Sequence, residues 1–244
     1  MSHPATLSAA DGGRVLTLSV REVRLIVDRI LLTLDVPSGL VPSLRDTILA
    51  SQHLGKAGFL GLHDESRLAA LRDSVGRLGQ VRCRDEHEVL HLDAAGMHAW
   101  LVLPTWCDLL VDAARRRRVL RSRLTNVQEA SELAVLAVLA ARHGVAVDLS
   151  VEDGAAGARV TADTPPADSL AQRDPLLWQA IKQGYAVHES AWWPLYHASK
   201  RALSPDSVAS RRHAGPTLVL DDGTIVGRAP ADDDTDIALL RRVD

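Results

Sequence analysis

Cysteine is nearly missing from these 244 residues: Cys83 and Cys107 are the only two. So few thiols leave no disulfide framework and point to a reducing compartment. Lysine is scarcer than the length would suggest, at positions 56, 182 and 200, and the other basic side chains are arginine. There is no basic excess; the formal net charge is −3, so nucleic acid is not an expected partner. Long apolar runs are absent as well. The longest, LAVLAVLAA at 133–141, is too short to span a bilayer. The opening MSHPATLSAADGG has neither a basic start nor an apolar core, so it does not read as a signal peptide. These absences together predict a cytoplasmic protein with no membrane partner.

What is present fits a globular chain, with 46% hydrophobic and 24% charged residues, enough to bury a core without staples. Residues 1–13 read as a disordered tail. In LSVREVRLIVDRILLTL, apolar side chains recur at helical spacing. Ser19 and Glu22 form a capping-box pattern ahead of them. PSLRDTILASQHLG predicts a second helix closed by Gly55. DESRLAALRDSVGRLG predicts a third, capped by Asp64 and stopped by Gly79. EVLHLDA, HAWLVLP and VLRSRLT read as strands, WCDLLVDAARRRR and EASELAVLAVLAARHG as helices, and VAVDLSVEDGAAGARVTAD as two strands about a glycine turn. Further on, helices are expected at 175–183, 194–202 and 205–213, then a hairpin with an Asp-Gly turn in PTLVLDDGTIVGR. The fold class is α+β: an N-terminal helical block, a central mixed α/β region, and C-terminal helices plus a β-hairpin. The expected organisation is a main domain over 14–163, a linker over 164–173, a smaller lobe over 174–228 and an acidic tail over 229–244.

Two short motifs invite a catalytic reading. Tyr196 and Lys200, an i, i+4 pair, match the catalytic helix of short-chain dehydrogenases in letters. That chemistry also needs a strand, a glycine-rich turn and a helix to hold a dinucleotide. This chain opens instead with a helical block, so no NAD(P) cofactor is expected. His87-Glu88-Val89-Leu90-His91 matches a zinc-protease motif. That motif works only on a helix, and here the alternation of Leu90 and Leu92 with Val89, His91 and Asp93 favours a strand. Extended backbone would hold His87 and His91 roughly 13 Å apart. No metal site is expected.

The third feature is 178–215, where five of the eight aromatics gather, among them Trp192, Trp193 and Tyr196. Ser204-Pro205 is a clean helix start, and Ser207, Ser210 and Arg211 share a face beyond it. With Lys200 they make a candidate ligand-binding set for an anion. The plainer reading is that the tryptophans fill a core junction and the arginines are solvated.

The N-terminal block, through Ser19, Glu22, Gly39, Leu40 and Gly58, resembles that of a bacterial family classed as a domain of unknown function. So does the pattern of Trp178, Pro205, Ser207, Ser210, Arg211, Ala214 and Gly215. That family brings no assigned reaction. The early helices and ASELAVLAVLAARHGVAVDLSV are also similar to the type-2 malate/lactate dehydrogenase family. VEDGAAG stands where that likeness places a catalytic histidine, which implies that hydride chemistry is lost or rebuilt. Two classes of function stay open: a protein binding or transforming a small anionic metabolite, or a noncatalytic subunit docking a protein partner through its tryptophan-rich segment. Homo-oligomerisation is open too.

Overall fold

The structure, a computed structural model, describes residues 13–86, 89–116, 119–161, 168–203, 217–222 and 224–227. All but residue 13 of the expected tail at 1–13, the expected tail at 229–244 and the expected helix at 205–213 lie outside the described residues. The chain is α+β and divides into two compact units, Met1–Ala202 and Leu203–Asp244.

Strand β1 (Val15–Leu18) leads into helix α1 (Val20–Leu32). The predicted capping box is present: the Glu22 amide donates to Ser19 Oγ at 3.2 Å, and the Ser19 amide donates to Glu22 Oε2 at 2.8 Å. Val23, Ile26, Val27, Ile30 and Leu31 form its buried stripe. Helix α2 (Val41–His53) lies beside it, tied by Arg45 to Asp28 at 3.0 Å. A 3-10 turn (Phe59–His63) precedes α3 (Glu65–Val75), which Asp64 caps as expected. That helix stops at Val75, four residues before Gly79, because the chain tightens there into a 3-10 turn over Leu78–Gln80.

The main sheet has five strands in the order β2-β3-β4-β6-β5: β2 (Arg82–Glu86), β3 (Val89–His98), β4 (Val119–Gln128), β5 (Ala146–Glu152) and β6 (Ala155–Thr161). Only the β3–β4 pair is parallel, and α4 (Ala99–Arg116) makes the crossover. In HAWLVLP, therefore, only His98 belongs to a strand, the end of β3, and Ala99–Pro104 are the first turns of α4. An apolar run that packs on all sides has no period to distinguish the two. What decides is the continuation of buried positions through Trp106, Cys107, Leu110, Val111 and Ala114. Pro104 sits inside this helix and forfeits one bond to the carbonyl of Trp100. Side-chain contacts hold α4 on the sheet. Trp106 Nε1 donates to Ser122 Oγ at 3.0 Å, and that hydroxyl donates to the Leu90 carbonyl at 2.8 Å. One face of the sheet is thereby apolar and covered, through Leu90, Leu92, Leu124, Ala156, Ala158 and Val160. Its other face carries the alternate, polar side chains.

EASELAVLAVLAARHG divides into a 3-10 turn (Ala130–Ala134) and α5 (Val135–Ala141). Within the expected linker, Leu170–Arg173 forms a short helix, α6, followed by α7 (Pro175–Gln183), β7 (Tyr185–His188) and α8 (Glu189–Ser199). Strand β7 pairs antiparallel with β1, Leu18 opposite Tyr185. Residues 174–202 thus fold with the first unit, and the division falls after Ala202 rather than at 164–173. Helix α8 starts at Glu189, so Pro194 is inside it, not at its start. In the second unit, β8 (Thr217–Val219) and β9 (Ile225–Gly227) form the expected antiparallel hairpin, with Asp222 Oδ1 accepting from the Thr224 amide at its tip.

Replacing Ile30 (2% exposed) by alanine should cost about 2–5 kcal/mol. The same change at Leu25 (48% exposed) should stay within about 0.5 kcal/mol. Urea unfolding of the two variants checks the pair.

Candidate functional site

Lys200 Nζ lies over the Tyr196 ring, 4.8 Å from its centroid, in a cation–π contact. His91 is on strand β3, its lateral neighbours Arg84 and Arg123; His87 and Glu88 lie outside the described residues. Among the described residues no three histidine, cysteine or acidic side chains group as metal ligands would. Trp192 and Trp193 diverge, as consecutive helical positions must: the first is in the core and the second is 45% exposed. Trp193 meets Tyr196 edge-on at 5.6 Å, and these two with Lys200 form a surface group that Trp192 does not join. Ser207, Ser210 and Arg211 lie outside the described residues.

A polar cluster that the sequence reading missed lies beyond the C-terminal ends of the two parallel strands. Its centre is Glu132, 2% exposed, in the 3-10 turn after β4. Glu132 Oε2 accepts from Ser51 Oγ of α2 at 2.5 Å and from Trp100 Nε1 of α4 at 2.9 Å. Oε1 accepts from the Ala57 amide at 3.1 Å. The Gly58 amide donates to Ser51 Oγ at 2.9 Å, which turns the serine proton toward the carboxylate. This close approach requires glycine at 58. Its φ is +53°, and a Cβ there would fall 2.6 Å from the Gln52 Cα.

His98 ends β3 and is fully buried. Its Nδ1 accepts from the Trp100 amide at 3.1 Å, capping α4, so the ring proton is on Nε2. Burial, reinforced by the nearby Arg67 charge, pushes the imidazole down to about 3. The ring lies 4.9 Å from the Trp100 indole, and the Arg67 guanidinium lies 5.3 Å from the same indole. Arg67 Nη2 donates to Glu129 Oε2 at 3.2 Å. Its Nε and Nη1, together with His98 Nε2, are buried and have no acceptor among the described residues.

Backbone strain gathers in the same region. Ala95, Asn126 and Glu129 take positive φ, as does Gly96. Two extra residues of β3 bulge where Asp93 faces Thr125 but Met97 faces Val127. Asp93 Oδ1 holds the bulge through the Ala95 amide (2.9 Å) and Asn126 Nδ2 (3.2 Å), and Arg77 Nη1 donates to the carbonyls of Ala95 and Gly96. The signals for this site in the sequence were slight: an acid in the apolar stretch ASELAVLA and a histidine just before another apolar run.

A second, part-buried pair starts from the last residue of α2, two positions beyond Ser51. His53 Nε2 and the Tyr185 hydroxyl share a hydrogen bond of 2.8 Å, with their rings stacked. Burial is the main cause that lowers His53 to about 4; Asp174 opposes it and Arg142 adds to it. Burial raises the Tyr185 phenol.

No family model matches the chain, and no curated protein matches it. Solved structures similar to it include a dehydrogenase from Sinorhizobium meliloti (15% identity, 54% of this chain and 42% of that one, TM-score 0.40). Others are sulfolactate dehydrogenase from Methanocaldococcus jannaschii (13%, 48% and 36%, TM-score 0.35) and malate dehydrogenase from Pyrococcus horikoshii OT3 (12%, 78% and 66%, TM-score 0.39). The chain spans less than half the length of the first two. At these TM-scores none of the superpositions defines a shared fold.

Two outcomes test the cluster. Glu132→Ala leaves the donors of Ser51, Ala57 and Trp100 unpaired, and should cost roughly 1 kcal/mol or more for each. Denaturant unfolding followed by tryptophan fluorescence reads that loss. The second concerns pH. The folded protein keeps His98 and His53 neutral down to about 3 and about 4, whereas unfolded histidine takes up a proton near 6.5. Stability is therefore full above about pH 6.5 and falls as pH drops below it, by up to about 1.4 kcal/mol per pH unit for each histidine. His98→Asn keeps a capping oxygen and should make the decline between about pH 6 and pH 4.5 visibly shallower.

Proposed function

We propose that the protein binds a small oxyanion, a carboxylate or a phosphate, at Arg67 and His98. The observation that carries this reading is the set of three buried donor nitrogens, two on a guanidinium, that find no acceptor among the described residues. Buried donors are ordinarily satisfied, and leaving them so costs folding energy. Their position adds to the argument, because ligands of sheets with parallel strands bind beyond the carboxyl ends of those strands.

The same geometry favours a receptor over a catalyst at this place. Every oxygen of Glu132 already accepts a protein donor, so it offers no free base. His98, with Nδ1 committed to the helix cap and its cationic form suppressed, can donate one hydrogen bond but cannot cycle a proton near neutrality.

A second reading keeps the tryptophan-rich segment as a docking surface for a protein partner. Trp193 and Trp178 are 45% and 39% exposed, more than a filled core junction leaves open.

Thermal melting with sodium phosphate and with sodium malonate, each at tens of millimolar against a chloride control of equal ionic strength, tests the oxyanion reading. One of the two should raise the melting temperature by mass action, and Arg67→Met should remove that rise. If neither anion moves the transition, or if the variant responds as the parent does, the oxyanion reading is wrong.

A further inference from the structure

The uncovered face of the main sheet carries a charge arrangement that folding alone does not ask for. On this face Arg84, His91 and Arg123 stand directly opposite one another across β2, β3 and β4. In the next row Arg121 stands opposite Arg159 across β4 and β6. Directly opposed side chains in a sheet interact most strongly when their charges differ, and opposed like charges destabilise it. Carboxylates share this face: Asp148 beside Arg159 and Glu152 further along edge strand β5, and Asp93 beside Arg82 with Glu86 on β2, but none of them stands directly opposite Arg84, Arg121 or Arg123. Among the described residues, none of Arg84, Arg121, Arg123 and Arg159 is held in an ion pair.

Beside these cations the surface is relieved. Gly157, between Arg123 and Ser150, offers no side chain, and a depression of about 360 Å³ opens there against Arg121, Arg123 and Arg159. A second, of about 280 Å³, lies against Arg84, His91 and Arg123. Arg123 borders both, so the two adjoin, and together they run across the sheet from β2 to β5. That is longer than a single small anion needs.

We propose that this face docks an acidic polypeptide segment lying across the strands, its carboxylates on the Arg84–His91–Arg123 row and the Arg121–Arg159 pair. The cost of like-charge pairing is then offset when the partner supplies the missing anions. Nucleic acid fits less well. These rows offer no tryptophan, tyrosine or phenylalanine on which successive bases could stack, and His91 is their only ring.

The test is fluorescence anisotropy of a labelled octaglutamate at low salt, with the full chain. Octaglutamate should bind, and binding should weaken as salt is raised. Replacing both Arg121→Glu and Arg123→Glu should weaken it by roughly tenfold or more, whereas Arg67→Met should leave it unchanged. The double variant has a second readout. Its melting temperature should hold or rise, because Arg159 gains an opposite charge across the strand. Three results would overturn the proposal. The first is no binding at low salt, and the second is binding indifferent to the double variant. The third is a single-stranded oligonucleotide of equal charge binding as tightly as the peptide, which would make the face a general polyanion surface. Because Arg67→Met probes the other site, failure here leaves the oxyanion reading to stand or fall by its own experiment.

Discussion

Glu132 is the constraint on which the arrangement of this protein depends. A carboxylate with 2% exposure survives only if donors meet both oxygens, and here they come from three separate places: Ser51 on α2, the amide of Ala57 in the following loop and the indole of Trp100 on α4. The helical block and the sheet are thereby fixed to one point, the turn that leaves β4. Apolar packing would allow the helices to slide; hydrogen bonds to one buried acid do not.

Around that point the backbone is held in conformations it would not choose. Glu129 takes a left-handed φ, and its carboxylate meets Arg67. Ala95 on β3 and Asn126 on β4 do the same, restrained by Asp93. The result brings an arginine from α3 and a histidine from the end of β3 against one indole. Strain, buried donors and the carboxyl ends of parallel strands coincide there, and this coincidence supports a ligand site more than any one of them.

The two faces of the main sheet obey different rules. The covered face alternates strictly, and its leucines, alanines and valine are spent on the core. The open face is free of that demand; there Asp93 faces Arg82 and Asp148 faces Arg159, yet Arg121 also faces Arg159, and Arg84 and Arg123 flank His91 with no carboxylate in register. A surface shaped only by stability would have placed the signs the other way. Its charge pattern therefore points to something outside the fold.

Where a decision was local, the sequence by itself made it. Ser19 with Glu22, and Asp64 with the turn it caps, fixed helix starts because capping bonds join residues two or three apart. Val89 to Asp93 fixed a strand because alternation is a property of five residues. The hairpin of β5 and β6 followed from its glycine turn. Where the decision was between distant parts, the sequence was silent. Most of HAWLVLP became helix because α4 is packed by the sheet beneath it and by helices around it, which removes any visible period. The pairing of Val15–Leu18 with Tyr185–His188 joins segments some 170 residues apart, and it drew the C-terminal helices into the first unit against the expected linker. The site belongs to this second kind. Ser51, Arg67, His98 and Glu132 carry no motif, and 81 residues separate the serine from the acid it meets. Only burial makes their polarity costly, and only the tertiary structure brings them close enough for that cost to be answered.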